Sequence, residues 1–417
     1  MKPIFSVLSP NVEEDDIRLA RHLISHRFDY QQSNDAQKLA EVIGHYVSVD
    51  YAIPFQNGRS ALWAIIQSYQ WPAGSQIIVP GFTCAAAVNP IIWSNLKPVF
   101  IDIDQNLNLD LKQAESKISN RTKAILIQHT FGLPVNMTKV RELADRHNLV
   151  VIEDCAHSLG AFFDNQAVGS MGEAAFFSFG RDKILSAVFG GIAVTNNQDL
   201  ALKIKHQEKA GFQPRWRWVK QQLRHPLLVS RWVQPGYTRV EIGRWILLFF
   251  QKTKILSKAM TRLEKKGQPI TKGPGRMPNE LAVLALNQFL KLERYNHHRQ
   301  KIADLYRQGL MGLNLKMTDD QPGRIYLKFP IILNNKKAAD DLLKYLRTQK
   351  IYLYDGWKDS PVVPADVELN ALGYLKGSCP RAEELSERIV NLPTHINVSE
   401  KDAQRIIRQV RKFLDSL

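Results

Sequence analysis

Cysteine is scarce: Cys84, Cys155 and Cys379 are the only three in 417 residues. They are odd in number and share no CxxC spacing, so neither a disulfide framework nor a zinc site is indicated, and no metal is expected. Long apolar runs are missing too. The longest of note, Trp245–Phe250, falls far short of the ~20 residues a helix needs to span a bilayer. The opening stretch passes from Met1-Lys2-Pro3-Ile4-Phe5 to Glu13-Glu14-Asp15-Asp16 without an apolar signal core. A secretory leader is therefore not expected, and a cytoplasmic location is. There is no internal repeat and no low-complexity tract. A hydrophobic share of 44% and a charged share of 23% exclude a disordered chain, a collagen-like repeat and a coiled coil. The length suits two or three domains with a sizeable core.

Acidic residues are also short, and in one place only. The chain carries 56 Lys+Arg against 40 Asp+Glu, a formal charge of +16. From Lys209 to Arg276 there are 16 basic residues and two acids, Glu241 and Glu264, so this stretch alone carries +14. The rest of the chain is close to neutral. Basicity is thus a property of one segment, and a nucleic-acid or anionic-membrane partner concerns that segment rather than the whole protein.

What is present from about residue 50 to 200 is an alternation of short apolar runs with helical patterns. The runs are Ile77-Ile78-Val79, Pro98 to Asp104, Ala124 to His129, Leu149 to Asp154, Ala174 to Phe179 and Gly191 to Thr195. Near-continuous apolar strands are buried on both faces, and strand–helix alternation predicts an open, mostly parallel α/β sheet. In such sheets the carboxyl ends of strands line the ligand crevice, and His129, Asp154 and Ser178 stand there. A long helix is expected from Pro278 to about Leu310. A second α/β unit follows, with a strand at 326–333, a helix at 338–350, a strand at 351–354 and a closing helix from about Glu400.

Asp154 and Lys183 are the pair that carries chemistry. Alone, a strand-end lysine is usually solvated and a strand-end aspartate usually caps a turn. Together on neighbouring strand ends they can hold pyridoxal phosphate, the lysine forming an imine and the carboxylate keeping the ring nitrogen protonated. The phosphate needs a cradle. Asn57-Gly58-Arg59-Ser60, ahead of an apolar helix at 61–69, offers close backbone approach at Gly58, helix N-terminal amides and the Ser60 hydroxyl; an ordinary helix cap is the other reading.

Further motifs stand in order along the chain: Val79-Pro80-Gly81-Phe82-Thr83; Lys97 to Asp104; Gln128-His129-Thr130-Phe131-Gly132; Ile152 to His157 with Gly160-Ala161; Gly169 to Ala174 with Ser178-Phe179, Lys183 and Gly190-Gly191; and Leu392-Pro393-Thr394-His395. In this order and spacing they resemble the sugar aminotransferases of the DegT/DnrJ/EryC1/StrS type, fold-type-I pyridoxal-phosphate enzymes, over roughly residues 5–210 and 273–415. The resemblance implies that Lys183 is the Schiff-base lysine and proton carrier, and that Asp154 pairs with the pyridinium nitrogen. It sets His157 near the cofactor's phenolic oxygen, where the family usually has Gln. It places Arg59, Ser60 and Ser178 at the phosphate, beside Gly58, and the active site at a homodimer interface; His129 and Arg276 are the substrate candidates. Cys84 stands where a ring-stacking aromatic is common. Phe189 and Pro274 replace the family's Glu and Asn. Retention of Lys183 disfavours the family's dehydratase branch, which lacks it.

In that family the region matching 212–272 is short, so here it reads as an insertion. It holds Trp216, Trp218, Trp232 and Trp245, half of the eight tryptophans, interleaved with arginines. The apolar strip Trp245–Phe250 favours an anionic membrane interface over nucleic acid, with a solvated, partly packed insertion as the plain alternative. The expected organisation is an N-terminal segment (1–34) packing on the small domain, a large cofactor-binding domain (35–211), the basic insertion (212–272), and a long helix with the C-terminal small domain (273–417). The expected function is pyridoxal-5'-phosphate-dependent transfer of an amino group from an amino acid, glutamate foremost, to a keto sugar, nucleotide-linked, in surface-polysaccharide or lipid-linked glycan synthesis. The expected location is cytoplasmic or peripheral at the inner membrane face. A cofactor-binding regulator or scaffold without turnover, or a membrane-associated accessory protein, are the alternatives.

Overall fold

The computed structural model describes residues 2–8, 10–26, 29–30, 32–237 and 241–416. The apolar runs become a seven-stranded sheet: β1 (Tyr51–Phe55), β2 (Gln76–Pro80), β3 (Lys97–Ile101), β4 (Thr122–Gln128), β5 (Val150–Asp154), β6 (Ala174–Ser178) and β7 (Gly191–Thr195). Their order is β1-β7-β6-β5-β4-β2-β3. The five strands from β6 to β3 run parallel, and β7 runs antiparallel to both β6 and β1. Alternate residues of one strand feed opposite cores. Ile125 and Ile127 join one apolar cluster, Ala124 and Leu126 the other, which is why the run reads as continuously apolar.

Helix α1 (Gly58–Tyr69) follows β1 and starts where Asn57, its N-cap, accepts the Ser60 N–H on its side chain at 2.9 Å. Gly191 permits the closest approach in this region. A Cβ there would lie 2.5 Å from the Gly58 nitrogen, so any side chain would push β7 off the start of α1.

The C-terminal unit sets Lys328–Ile332 and Ile389–Pro393 antiparallel, covered by helices Leu292–Leu310, Lys336–Thr348 and Glu400–Leu414. The helix expected to run unbroken from 278 to 310 is two helices, Asn279–Phe289 and Leu292–Leu310. The break presents Lys291 to Asp15 at 2.8 Å and Asp16 at 3.0 Å. The N-terminal segment serves both units. Ile4–Phe5 pairs with Ile351–Tyr352, whereas helix Glu14–Ser25 packs against α2 (Trp216–Leu228) and Asn279–Phe289.

The basic segment is structured. It contains α2, an irregular turn at 229–237 and α3 (Ile242–Lys252). It then runs back along the large unit, where the Trp93 indole donates to the Gly267 carbonyl at 3.0 Å and the Asn89 amide to the Glu264 carbonyl at 2.9 Å. No helix among the described residues is long and apolar enough to cross a membrane.

Candidate active site

Parallel strands bring their carboxyl ends to one edge, and the site lies there. In register Phe176 faces Asp154, so Ser178 stands two residues beyond it on the next strand. The chain then turns at Gly180, where an added Cβ would sit 3.5 Å from Lys183 Cγ and 3.6 Å from Ser178 Oγ. Lys183 and Ser178 therefore flank one small space. On its other side, a Cβ at Gly58 would meet Ser178 Cβ at 3.0 Å and Oγ at 3.3 Å. The start of α1 thus abuts the end of β6.

The charges of these groups act on one another. Burial pushes the Asp154 carboxyl above the ordinary carboxylate value, although the Ala156 N–H (3.0 Å) and the Lys183 charge act against it. Burial lowers Lys183 below the ordinary lysine value, opposed by Cys84 and Asp154. An amine so placed spends more time uncharged and nucleophilic than a solvated one. Burial also raises the Cys84 thiol against the pull of Lys183, and Cys84 caps the helix Ala85–Trp93.

His157 is neutral. Burial first, then the charges of Lys183 and Lys328, hold its imidazole well below the ordinary value. Its Nδ1 accepts the Phe131 N–H at 3.4 Å, so the ring proton resides on Nε2 and is available to donate. The ring stacks on Phe131 at 5.6 Å and meets Trp357 edge-on at 5.1 Å.

The other expected residues lie as follows. Ser60 Oγ accepts the Gly275 N–H at 3.1 Å, which leaves its own proton to donate. The Arg59 guanidinium is ion-paired with Glu264 and donates to the Ala259 carbonyl at 3.1 Å, so the basic segment itself supplies its countercharge. Arg276 donates to Glu208 at 2.7 Å and lines an open cavity of about 1040 Å³ with Tyr51, Pro54 and Lys205. His129 is fully buried, with Nδ1 accepting from Val135 N–H at 3.1 Å and Nε2 facing Glu153 at 3.1 Å. Both ring nitrogens are engaged inside the protein, and the strand-end rule did not foresee that the side chain turns inward.

Several residues were not anticipated. Glu153 accepts the N–H groups of Gly169, Met171 and Gly172 at 2.7–2.9 Å in addition to facing His129. His129, Glu153 and Cys155 lie within 4.8 Å of one another, but the carboxylate is already surrounded by N–H donors, and the cluster anchors the 169–172 turn. Asn11 donates to the Lys183 carbonyl at 2.6 Å and is itself held by buried Arg299 at 2.7 Å. Lys328, paired with Asp355 at 2.6 Å, stands close enough to affect His157 and Lys183. A lysine inside an otherwise apolar strand was its visible signal. Asn11 had none, because its partners lie far away in sequence.

The sequence model of the DegT/DnrJ/EryC1/StrS aminotransferase family matches residues 10–237 and 252–411. The chain belongs to this family. The unmatched interior stretch, 238–251, is narrower than the 212–272 expected from the motifs and covers most of α3. Among family relatives, a UDP-N-acetyl-3-dehydro-α-D-glucosamine 3-aminotransferase of Acidithiobacillus ferrooxidans is 27% identical over 385 residues, 91% of this chain and 89% of that one. A GDP-perosamine synthase of Caulobacter vibrioides is 28% identical over 376 residues, 88% of this chain and 87% of that one. Helicobacter pylori PseC, an aminotransferase involved in the biosynthesis of pseudoaminic acid, superposes with a TM-score of 0.77 at 21% identity over 100% of both chains. The fold is fold type I of the pyridoxal-phosphate enzymes, a large unit on a mostly parallel sheet with a smaller C-terminal α/β unit.

Proposed function

We propose that this family member is a pyridoxal-phosphate-dependent aminotransferase that moves the amino group of an amino acid, glutamate foremost, onto a nucleotide-linked keto sugar. The observation that carries the reading is that Lys183 and Asp154 lie close enough to influence each other's charge, with Lys183 flanking Ser178 beside the start of α1. The sugar-nucleotide relatives support the acceptor class.

The residues suit the cofactor. With no side chain, Gly58 lets the start of α1 abut Ser178, so the first N-terminal amides of α1 and the Ser178 hydroxyl stand side by side where a phosphate would bind. The Asp154 carboxyl, raised by burial, lacks a cation at full strength, which a protonated ring nitrogen provides. When bound, the cofactor supplies a carbonyl carbon for the amino group and a ring that draws electrons from the bond being broken.

The chain does the rest. Asp154 would hold positive charge at the ring nitrogen, and His157 would donate from Nε2 to the phenolic oxygen. Gly58, Ser60 and Ser178 would hold the phosphate, with Arg59 at its rim. Lys183 Nζ is the group that would accept and return a proton. Phe131 and Trp357 pack against the His157 ring and limit water there. We assign Arg276 to the substrate side and the assembled enzyme to a homodimer in glycan synthesis. In this reading the basic segment keeps the enzyme at the cytoplasmic, anionic face of a membrane.

The purified protein should show a visible cofactor absorbance that glutamate bleaches and a keto sugar nucleotide restores. Absorbance without bleaching would instead indicate the scaffold reading. Two variants refine the test. Asp154→Asn should lower turnover about 10²–10³-fold, the usual loss when one preorganised electrostatic partner is removed, with the fold intact by circular dichroism. Gly58→Ala crowds Ser178 and should weaken cofactor binding by about tenfold, in line with an overpacking cost of about 1–3 kcal/mol. Titration of the apo-protein with pyridoxal phosphate measures it, and an unchanged affinity would remove Gly58 from the cradle.

A further inference from the structure

We propose that α3 is a docking surface for an anionic lipid bilayer, entering the headgroup layer by the face that carries Ile242, Trp245, Leu248 and Phe249. These four side chains are 52%, 69%, 45% and 59% exposed. Eight of the fourteen exposed large apolar residues among the described ones lie within 212–270, and four of those eight are on this helix. Apolar residues exposed singly need no partner; four on one helical face do.

The opposite face is already used. Ile246, Leu247 and Phe250 pack on Val229, Val233 and Leu256. The helix ends are tied down as well. Glu241 ion-pairs with Arg347 at the start, and past the far end Gln221 donates to the Lys254 carbonyl at 2.6 Å. The exposed face is therefore held outward by a fixed support and is not a collapsed loop.

Charge decides what covers it. Arg224, Arg231, Arg244, Lys252, Lys254 and Lys258 are exposed on and around the helix. The single acid between residues 224 and 258 is Glu241, already taken by Arg347. Apolar side chains rimmed by cations match an acyl boundary under anionic headgroups. A second copy of the chain would set the same cations against themselves across a two-fold axis. Nucleic acid would use the cations and the rings but gains nothing from Ile242 and Leu248. With 11 residues, the helix lies in the interface plane and does not span it.

The test is flotation of the full-length holoenzyme with phosphatidylglycerol/phosphatidylcholine vesicles and with phosphatidylcholine alone. Wild type should float with the anionic vesicles, less so as salt is raised, and hardly at all with the neutral ones. Trp245→Glu combined with Phe249→Glu should lower partitioning by about tenfold or more, with unchanged sedimentation, cofactor absorbance and turnover. Should that pair fail to fold, Arg244→Gln with Lys252→Gln and Lys254→Gln tests the same surface and should also lower binding to anionic vesicles. Wild type that does not float, equal flotation with neutral vesicles, full flotation of the variants, or a variant that changes oligomeric size would each overturn the proposal.

Discussion

Lys183→Ala should abolish amino transfer, lowering turnover by at least ~10⁴-fold, while the protein still folds. A positioned proton carrier alone contributes about 10²–10⁴-fold, and the variant also loses the nucleophile that ties the cofactor to the chain. Lys183→Arg should do no better. It restores charge, but a guanidinium is never a free amine at accessible pH, whereas burial keeps Lys183 below the ordinary lysine value for that purpose. Single-turnover measurement of keto-acid release from glutamate, with the visible spectrum recorded alongside, reads both effects. Turnover within about tenfold of wild type would move the chemistry to another amine. Lys328 would then be the next to change, since it is a buried lysine whose charge reaches His157 and Lys183.

Glu153→Ala should have the largest effect on stability. Removing the carboxylate leaves three backbone N–H groups and His129 without their acceptor in a dry interior. Breaking a buried charged network of this kind costs about 3–5 kcal/mol. The loss should also depend on pH. Burial pushes the Glu153 carboxyl up, but the hydrogen bond and charge of His129 and the amides of Gly169 and Gly172 outweigh it, so its value lies below the ordinary 4.5. A carboxyl lowered by folding stabilises the folded state in full above its unfolded value. That contribution disappears as pH falls through the lower folded value. Urea unfolding of wild type and variant should therefore differ most near neutrality and converge in acid. A difference that grows in acid would contradict this account.

The large unit was legible because burial on both faces writes uninterrupted apolar runs, and the positions of Asp154 and Ser178 follow from parallel strands ending together. Lys183 was legible through its spacing from those ends. Side-chain direction was not. His129 ends the same kind of strand as Asp154, yet turns inward to Glu153, and nothing local distinguishes the two. The ion pair of Arg59 with Glu264 joins residues 205 positions apart, a contact that no periodicity announces. The break near Lys291 was hidden because both halves continue the same apolar spacing. The helices of the basic segment were missed because Trp, Arg and Pro226 dilute the helical pattern there, and packing against Glu14–Ser25 overrides local preference.

The tie between Arg59 and Glu264 bears on how such a segment is gained or lost. An appendage that touched nothing could be excised cleanly. This one cannot: removing it would strip a nearly buried guanidinium of its countercharge, and leave Asn89, Trp93 and Arg181 without the groups they bond at Glu264, Gly267 and Ser257. These anchors, at 257–267, lie within the residues the family model matches and tie this stretch to the large unit, whereas the unmatched 238–251 holds none of them. A relative lacking an acid at the position of Glu264 is expected to carry something other than arginine at the position of Arg59, or another acid beside it.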